Sequence, residues 1–326
     1  MKINIYDESL NRISIIGERF ISCFWSEGYN TTQTFSLELN ATEEYKKKIR
    51  PDCYIGRDDR KTLMVIKTVQ ANKDTIVCTG FTADRVLDDV AFVGTIKSGK
   101  YVDNAVAEAY NNSDKYPNIE YADTNLGIKT ESQNSNKSFL QLSQKLCQET
   151  DLGFVVKRSN GVALAEFYDP GENENAIFAE KYGNLFVERV SLSTEPEKNY
   201  AIVLGQGEGA NRTKQIVNLS GDAVKKQIVI DARDIQQETD ETDEEYSKRL
   251  YAKGFEKLLD TQKAVSCSIA VSSADFGKKF DLGQIVTVLL TDYGIKLKAR
   301  IAKFEQKEQN NKLETKISIG NITILR

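Results

Sequence analysis

Histidine is absent from the 326-residue chain, and this limits the chemistry that the protein could perform. Without imidazole there is no Ser-His-Asp or Cys-His arrangement, no zinc ligation through histidine and no histidine general base. An enzyme built from this chain would have to use carboxylates, lysine, tyrosine or cysteine. The acidic residues offer many carboxylate pairs that could cleave a glycosidic bond, but no spacing singles out one pair.

The cysteines are five in number, scattered, and never in the C-x-x-C spacing of metal or redox sites. They are Cys23, Cys53, Cys78, Cys147 and Cys267. Dispersed thiols in odd number are typical of a protein that folds in a reducing cytosol without disulfides. Cys147 has no base nearby in sequence and lies on an apolar helical face, which favours a place in the core over a nucleophilic role.

A glycine-rich segment, GQGEG at residues 205–209, follows an apolar run at residues 201–204 and invites comparison with nucleotide-binding loops. Its spacing is G-x-G-x-G rather than G-x-G-x-x-G, and no apolar helix follows it. Glu208 would also repel phosphate. We therefore interpret the segment as a connection between strands in which glycines supply positive φ angles, and we predict no cofactor.

Acidic residues cluster at residues 238–245, where a metal site is one interpretation. Thr242 and Glu245 have the spacing of a helix capping box, and Tyr246, Leu250 and Phe255 begin an apolar helical stripe. Carboxylates near a helix N-terminus are stabilised by the helix dipole. The pattern favours a capped helix over a metal site.

The overall charge argues against a surface that binds nucleic acid. The chain carries 44 basic and 48 acidic residues, a formal net charge of −4, whereas such surfaces show a basic excess. No apolar run approaches the ~18 residues that a membrane span needs. The first ten residues lack the apolar centre of a signal peptide. We expect a protein that is made and folded inside a cell.

Period-two alternation of apolar residues predicts a mainly β fold with α+β insertions. Strand patterns fill residues 1–94, with one short helix near residues 42–49. Residues 95–189 contain two predicted helices, the second capped by Ser138, and a hairpin turning at Asn160-Gly161. Strand patterns return from residue 187 and continue after the predicted capped helix.

The first and last β regions share an order of elements, which suggests an internal repeat. In each, an alternating strand is followed by a strand marked by glycine, a longer strand, a polar turn and a strand that closes on Gly80 or Gly320. The pattern aligns QTFSLEL with SCSIAVS and KTLMVIK with KLKARIA. Two unrelated β-meanders would explain the similarity. A duplicated small barrel is the more specific interpretation.

Two strings, VLGQGEGANR (residues 203–212) and QIVIDARDI (residues 227–235), resemble the hub proteins of phage tails. This family includes tail-tip and baseplate hubs and the amino-terminal module of tail-associated lysins. The helix after the second string and the pattern LGQIVTV…RIAKF…KISIG are also similar to the family, so the resemblance covers nearly the whole chain. The motif residues are predicted to be structural, with no catalytic, cofactor or metal role: Gly205, Gly207, Gly209, Arg212, Asp231 and Arg233.

The resemblance implies two tube-type β-barrels per subunit, an inserted α+β domain, and a homotrimer whose six barrels continue a six-fold tail tube. Residues 1–94 with 190–235 are then predicted to form the first barrel domain. Residues 95–189 are predicted to form the inserted domain, and residues 236–326 a helix with the second barrel. Many relatives carry a lytic extension, but this chain ends directly after its last predicted strand, so we expect none here.

The predicted function is that of a structural virion protein, not an enzyme, which closes the distal end of the tail tube. It would adapt six-fold tube symmetry to a three-fold tip. The implied partners are a baseplate ring protein, the tube protein, the tape measure protein and tip or fibre proteins. DNA would only pass through the lumen, with no membrane insertion. The predicted location is the virion tail tip, after synthesis in the bacterial cytoplasm.

Two other functions remain open from the residues. One is a cell-wall-degrading tail enzyme that uses a carboxylate site, which clearing of bacterial cell walls would reveal. The other is a carbohydrate-binding adhesin at the tip, in which Trp25 and Tyr29 form a surface for stacking sugar rings.

Overall fold

The structure is a computed structural model that describes residues 2–17, 19–193, 197–221, 223–238, 241–261, 264–310 and 312–325. The chain divides into two compact units. The first unit contains residues 1–186 and 269–326, and the second contains residues 187–268. The chain passes from the first unit to the second within one strand and returns within another.

Strands dominate the described residues, so the predicted mainly β fold is confirmed. The strands are β1 (Ile3–Tyr6), β2 (Arg12–Gly17), β3 (Ser22–Gly28), β4 (Thr34–Asn40), β5 (Tyr54–Arg57), β6 (Met64–Ala71), β7 (Thr75–Thr82), β8 (Ala91–Ile96), β9 (Ile119–Tyr121), β10 (Asn134–Ser138), β11 (Gly153–Ser159), β12 (Val162–Tyr168), β13 (Glu172–Ala179), β14 (Leu185–Ser193), β15 (Tyr200–Leu204), β16 (Lys214–Asn218), β17 (Gln227–Asp231), β18 (Ala264–Val271), β19 (Ile285–Leu290), β20 (Ile295–Gln309) and β21 (Lys312–Leu325). The α-helices are α1 (Glu43–Lys48), α2 (Val102–Asn111), α3 (Phe139–Thr150) and α4 (Asp243–Asp260).

The two β regions of the first unit have the same strand order. In the first region β4, β7, β6 and β5 lie side by side, and in the second β18, β21, β20 and β19 do. Every pairing in both series is antiparallel. In both regions the first strand therefore lies beside the fourth. The repeat inferred from the sequence is present as a shared topology.

Strand β3 connects the two β regions into one sheet. It pairs with β4 on one side and with the second half of β20 on the other. The first half of β20 pairs instead with β19, which also pairs with β13. Because β20 is 15 residues long, it reaches both groups of strands.

The α+β part of the first unit packs against the first β region. Helix α3 is capped by Ser138, whose side chain accepts from the Gln141 backbone N–H as predicted. The hairpin between β11 and β12 turns at Asn160 and Gly161, with φ angles of 47° and 85°, as predicted. An aromatic cluster fills this part, and Val65 of β6 belongs to the same core. Shared burial therefore joins the insertion to the sheet.

In the second unit, α4 covers one face of a small sheet. The strand order is β16, β15, β17, and the core contains Val203, Val217, Tyr246 and Leu250. Thr242 and Glu245 form the predicted capping box, since each backbone N–H bonds the other side chain at 3.3 and 3.0 Å. The helix lies close to the sheet because Gly254 carries no side chain.

The structure corrects the predicted grouping of strands within the domains. The prediction joins residues 190–235 to the first barrel and the helix to the second. Instead β16 and β17 both pair with β15 among the described strands, and α4 covers the apolar face of this sheet. The insertion predicted at residues 95–189 includes β13, but in the structure β13 pairs with β19 and so belongs to the large sheet. Two closed barrels remain a prediction.

Candidate assembly site

The glycine loop (residues 205–212) connects β15 to β16 in the second unit. Gly205 lies against α4: a Cβ there would be 2.3 Å from the Tyr246 hydroxyl and 2.8 Å from Leu250 Cδ1. The Tyr246 hydroxyl accepts from the Gln206 N–H and donates to the Ile235 carbonyl, both at 2.8 Å. Tyr246 thus holds the start of the loop and the segment after β17 together.

The glycines of this loop are required for two different reasons. Gly207 and Gly209 have φ angles of +107° and +54°, as the sequence analysis predicts. Gly205 has no positive φ, and that part of the prediction is wrong. It is glycine because the Tyr246 hydroxyl occupies the space of a side chain.

Arg212 and Arg233 converge on Asp231 at the end of β17. Arg212 Nη2 lies 2.6 Å from Asp231 Oδ1, and Arg212 Nε donates to the Gly205 carbonyl at 2.9 Å. Arg233 binds the same carboxylate through Nε and Nη2, with distances to Oδ2 of 3.0 and 2.6 Å. The hydrogen bonds from Arg233 and then Arg212 hold the pKa of Asp231 well below its ordinary value.

The two strings that carry the phage-tail resemblance therefore meet at one place. Arg212 joins the glycine loop to Asp231 of β17 and also donates to the Leu204 carbonyl. A backbone hydrogen bond also joins the two ends of the loop, since the Gly205 N–H donates to the Thr213 carbonyl at 2.8 Å. Such a loop supports strand geometry rather than binding a phosphate group.

Replacing Gly207 by Val should lower the free energy of unfolding by about 1–3 kcal/mol, because a β-branched residue is strained at positive φ. Its Cβ would also lie 2.8 Å from the Asn211 carbonyl oxygen. Urea denaturation followed by circular dichroism would measure the loss. The control is Gly209→Asn, since asparagine tolerates the left-handed region in which Gly209 lies. Equal stability of the two variants would contradict the role given to Gly207.

A buried ion pair lies in the first unit, where sequence analysis did not predict it. Glu27 Oε1 and Oε2 each accept from Arg60 at 2.9 Å. Trp25 Nε1 and Thr62 Oγ1 also donate to this carboxylate, at 2.7 and 2.8 Å. The side chains of Glu27 and Arg60 are 2% and 8% exposed. Four hydrogen bonds satisfy the carboxylate, so its role is structural.

Arg60 is also held by aromatic rings and by a second carboxylate. Its guanidinium lies 4.7 Å from the centre of the Phe276 ring and 5.0 Å from that of Phe304. Asp281 Oδ1 accepts from it at 3.1 Å. Burial by itself would lower the pKa of Arg60, but Glu27 and Asp281 raise it overall. This pair connects β3, the segment before β6 and the segment before β19.

The relationships of the chain to known proteins agree with this architecture. A family model, described as Siphovirus ReqiPepy6 Gp37-like protein, matches residues 2–321. The chain belongs to this family. No protein with a curated description matches its sequence.

Three solved structures have the same fold over nearly their whole length. Prophage tail protein gp18 from Listeria monocytogenes EGD-e is 13% identical, with a TM-score of 0.62 over 98% of this chain and 94% of that one. The prophage MuSo2 43 kDa tail protein from Shewanella oneidensis is 11% identical, with a TM-score of 0.62 over 98% of both. A tail protein from Neisseria meningitidis MC58 is 11% identical, with a TM-score of 0.58 over 97% and 95%. The predicted resemblance to phage tail proteins is confirmed.

A cavity of about 310 Å³ lies next to the buried ion pair, within the first unit of this Gp37-like protein. Three of its carboxylates are paired with cations: Glu27 and Asp281 bind Arg60, and Glu166 forms an ion pair with Lys157. Asp84 accepts from Thr32 Oγ1 at 3.0 Å, and burial raises the pKa of its carboxyl. Asp84 Oδ1 is buried without a hydrogen-bond partner among the described residues, so this cavity is the place at which the alternative of a carboxylate enzyme is tested.

The predicted sugar-stacking surface is contradicted by the structure. Trp25 is 0% exposed, because β3 directs its ring into the core beside Phe35. Tyr29 donates to the Asp151 carbonyl at 3.0 Å, and the guanidinium of Arg300 lies 4.7 Å from the centre of its ring. The two rings therefore do not form an exposed platform.

The thiols and acidic groups of the described residues show no metal-binding arrangement. Cys23, Cys53, Cys78 and Cys147 are free and buried, and burial raises the pKa of Cys23 and Cys78 to about 12. The side chain of Cys267 lies outside the described residues. No group of three or more Cys, Asp or Glu side chains could hold a metal ion in the described part. No described helix is both long and apolar enough to cross a membrane.

Proposed function

We propose that the protein is the hub of a phage tail, a structural protein that closes the distal end of the tail tube. The observation that carries this proposal is the repeated strand order β4-β7-β6-β5 and β18-β21-β20-β19 within one subunit. A subunit with two similar blocks can match a six-fold tube as a trimer. A subunit with one such block would need six copies.

The fold supports a place in the tail, and hence in the virion. All three neighbours described above are named as tail proteins, and each is covered over at least 94% of its length. The family model that matches residues 2–321 is likewise named after a virus protein. The whole chain, rather than one module of it, therefore has the architecture found in these tail proteins.

The mechanism that we propose is geometric and needs no catalytic residue. Three subunits would form a ring with a tube ring above and a tip or fibre protein below. Release of the tip would open the lumen for the tape measure protein and then for DNA. The net charge of −4 has the sign that keeps DNA from adhering to the wall of a channel.

Copy number in the assembled particle tests this proposal. Imaging of the tail tip, or native mass measurement of the purified ring, should give three copies with the two β blocks alternating around one channel. Six copies per ring would contradict the hub assignment. A clearing zone made by the purified protein on bacterial cell walls would favour the enzyme instead.

A further inference from the structure

Both outer strands of the small sheet in the second unit are open edges. Among the described strands, β16 and β17 each pair only with β15. Their registers with β15 run without a bulge over all five positions of each strand. Natural sheets usually protect such edges with proline, bulges or covering elements, and neither strand contains proline. Six side chains that alternate along these two edges are exposed: Lys214, Ile216, Asn218, Gln227, Val229 and Asp231.

The hydrogen bonds to β15 show which backbone groups face outward. Beside β16, Thr213 accepts from the Gly205 N–H at 2.8 Å, and the Leu219 N–H donates to Asn199 at 2.9 Å. Odd-numbered residues of this segment therefore face β15, and even-numbered ones face outward. On β16 the outward residues are Lys214, Ile216 and Asn218.

On the other side of the sheet the parity is reversed. The Ala232 N–H donates to the Leu204 carbonyl at 2.8 Å, and Lys226 accepts from the Tyr200 N–H at 3.3 Å. Even-numbered residues of this segment face β15, so the odd-numbered ones face outward. On β17 these residues are Gln227, Val229 and Asp231.

The two edges are complementary when one copy is placed beside another. Since β16 is antiparallel and β17 parallel to β15, a continued sheet makes β17 antiparallel to the β16 of the next copy. In the register that continues the existing rows, Val229 lies opposite Ile216 and Asp231 opposite Lys214. Gln227 then faces Asn218. Each pair joins two residues whose backbone groups both face outward, as hydrogen-bonded antiparallel pairs require.

The side chains of this register also match in chemistry. Ile216 and Val229 are 40% and 62% exposed, and Ile202 lies between them on the same row of the sheet. The added pair would extend this apolar row across two copies. Asp231 already binds Arg212 and Arg233, so Lys214 would be a third cation near it and would contribute little. The backbone ladder and the apolar pair are the main contacts.

We propose that β17 of one copy pairs with β16 of a second copy and so joins their small sheets head to tail. Three strands span about 14 Å, whereas a helix with its side chains is about 10 Å wide, so α4 of both copies fits on the same face. A head-to-tail contact either closes into a ring or continues as a filament. Closure at three copies rests on the proposed hub function, but the strand pairing does not.

Disulfide trapping tests the register directly. In a Cys267→Ser background, the double variant Val229→Cys with Ile216→Cys should convert most of the protein into covalent oligomers on mild oxidation. Facing Cα atoms in such a pair are ~5.5 Å apart, which suits a disulfide. The control, Val229→Cys with Asn218→Cys, is two residues out of register and should cross-link little. Equal cross-linking of both variants, or of neither, would overturn the proposal.

A charge substitution tests the same contact without cysteine. Val229→Lys should weaken self-association by roughly tenfold or more, measured by sedimentation equilibrium. Val224→Lys is the matched control, because Val224 is 81% exposed and lies in the loop between the two strands. Adding Ile216→Glu to Val229→Lys should restore association by placing opposite charges face to face. Equal association of the Val229→Lys and Val224→Lys variants would refute the pairing.

The extent of cross-linking separates this inference from the hub proposal. A covalent series that ends at three chains supports both. A series that continues beyond three supports the strand pairing and contradicts the three-fold hub. A trimer that forms by native mass but does not cross-link in register leaves the hub standing and overturns the pairing.

Discussion

Replacing Glu27 by Gln should lower the free energy of unfolding by about 3–5 kcal/mol, the usual result of removing one partner from a buried ion pair. The amide would present an N–H group to donors, and Arg60 would keep only Asp281 as an anionic partner. Both side chains are less than a tenth exposed, so the substitution removes contacts of a largely desolvated pair. Urea denaturation at neutral pH would measure the change.

An exposed pair on α1 provides the matched control for this substitution. Lys48 Nζ lies 2.7 Å from Glu44 Oε1, with the side chains 46% and 61% exposed. Glu44→Gln should change stability by about 0.5 kcal/mol or less, as for other exposed helical pairs. Adding Arg60→Met to Glu27→Gln should recover part of the loss, because no buried cation then lies beside the uncharged amide. Similar losses for Glu27→Gln and Glu44→Gln would contradict the structural role of the buried pair.

Replacing Gly80 by Ala should destabilise the protein by about 3 kcal/mol, at the upper end of the cost of overpacking. A Cβ at this position would lie 1.9 Å from the Val65 carbonyl oxygen and 2.9 Å from the Phe35 ring. The obstacle is backbone of the adjacent strand β6, which cannot move without breaking its pairing with β7. Differential scanning calorimetry of the variant and the wild-type protein would measure the loss of stability.

The second β region supplies the control, since Gly320 closes the corresponding strand of the repeat. Among the described residues, a Cβ at Gly320 would meet only the Ala302 Cβ, at 3.3 Å. We expect Gly320→Ala to cost about 1 kcal/mol or less, because the contact requires a displacement of only a few tenths of an ångström. If the two variants lost the same stability, the close approach at Gly80 would not be the cause.

These two glycines show how far a repeated pattern extends. The sequence aligns them at the same position of the two blocks, and the shared strand order agrees with that alignment. Both glycines pair beside a register shift, but a Cβ would meet the Val65 carbonyl oxygen at Gly80 and the Ala302 Cβ at Gly320. Repetition therefore predicts topology, but not the packing at each position.

Local features of the fold could be predicted from the sequence because their causes lie within a few residues. The capping boxes at Ser138 and Thr242 depend on a side chain three residues away. The hairpin at Asn160-Gly161 depends on two residues that accept positive φ. The shared order of elements along the chain in the two blocks could be inferred too, since alternation and turn residues occur in the same sequence in both.

Other features depend on residues that the chain brings together only on folding. No local pattern indicates that Glu27 meets Arg60, which lies 33 residues away, or that Trp25 is buried by this network. Nothing in the string around Gly205 reveals that Tyr246, on a later helix, fills the space of its side chain. The grouping of β15 with β17 and α4 was missed for the same reason. An apolar strand face shows only that it must be covered, and tertiary packing decides which element covers it.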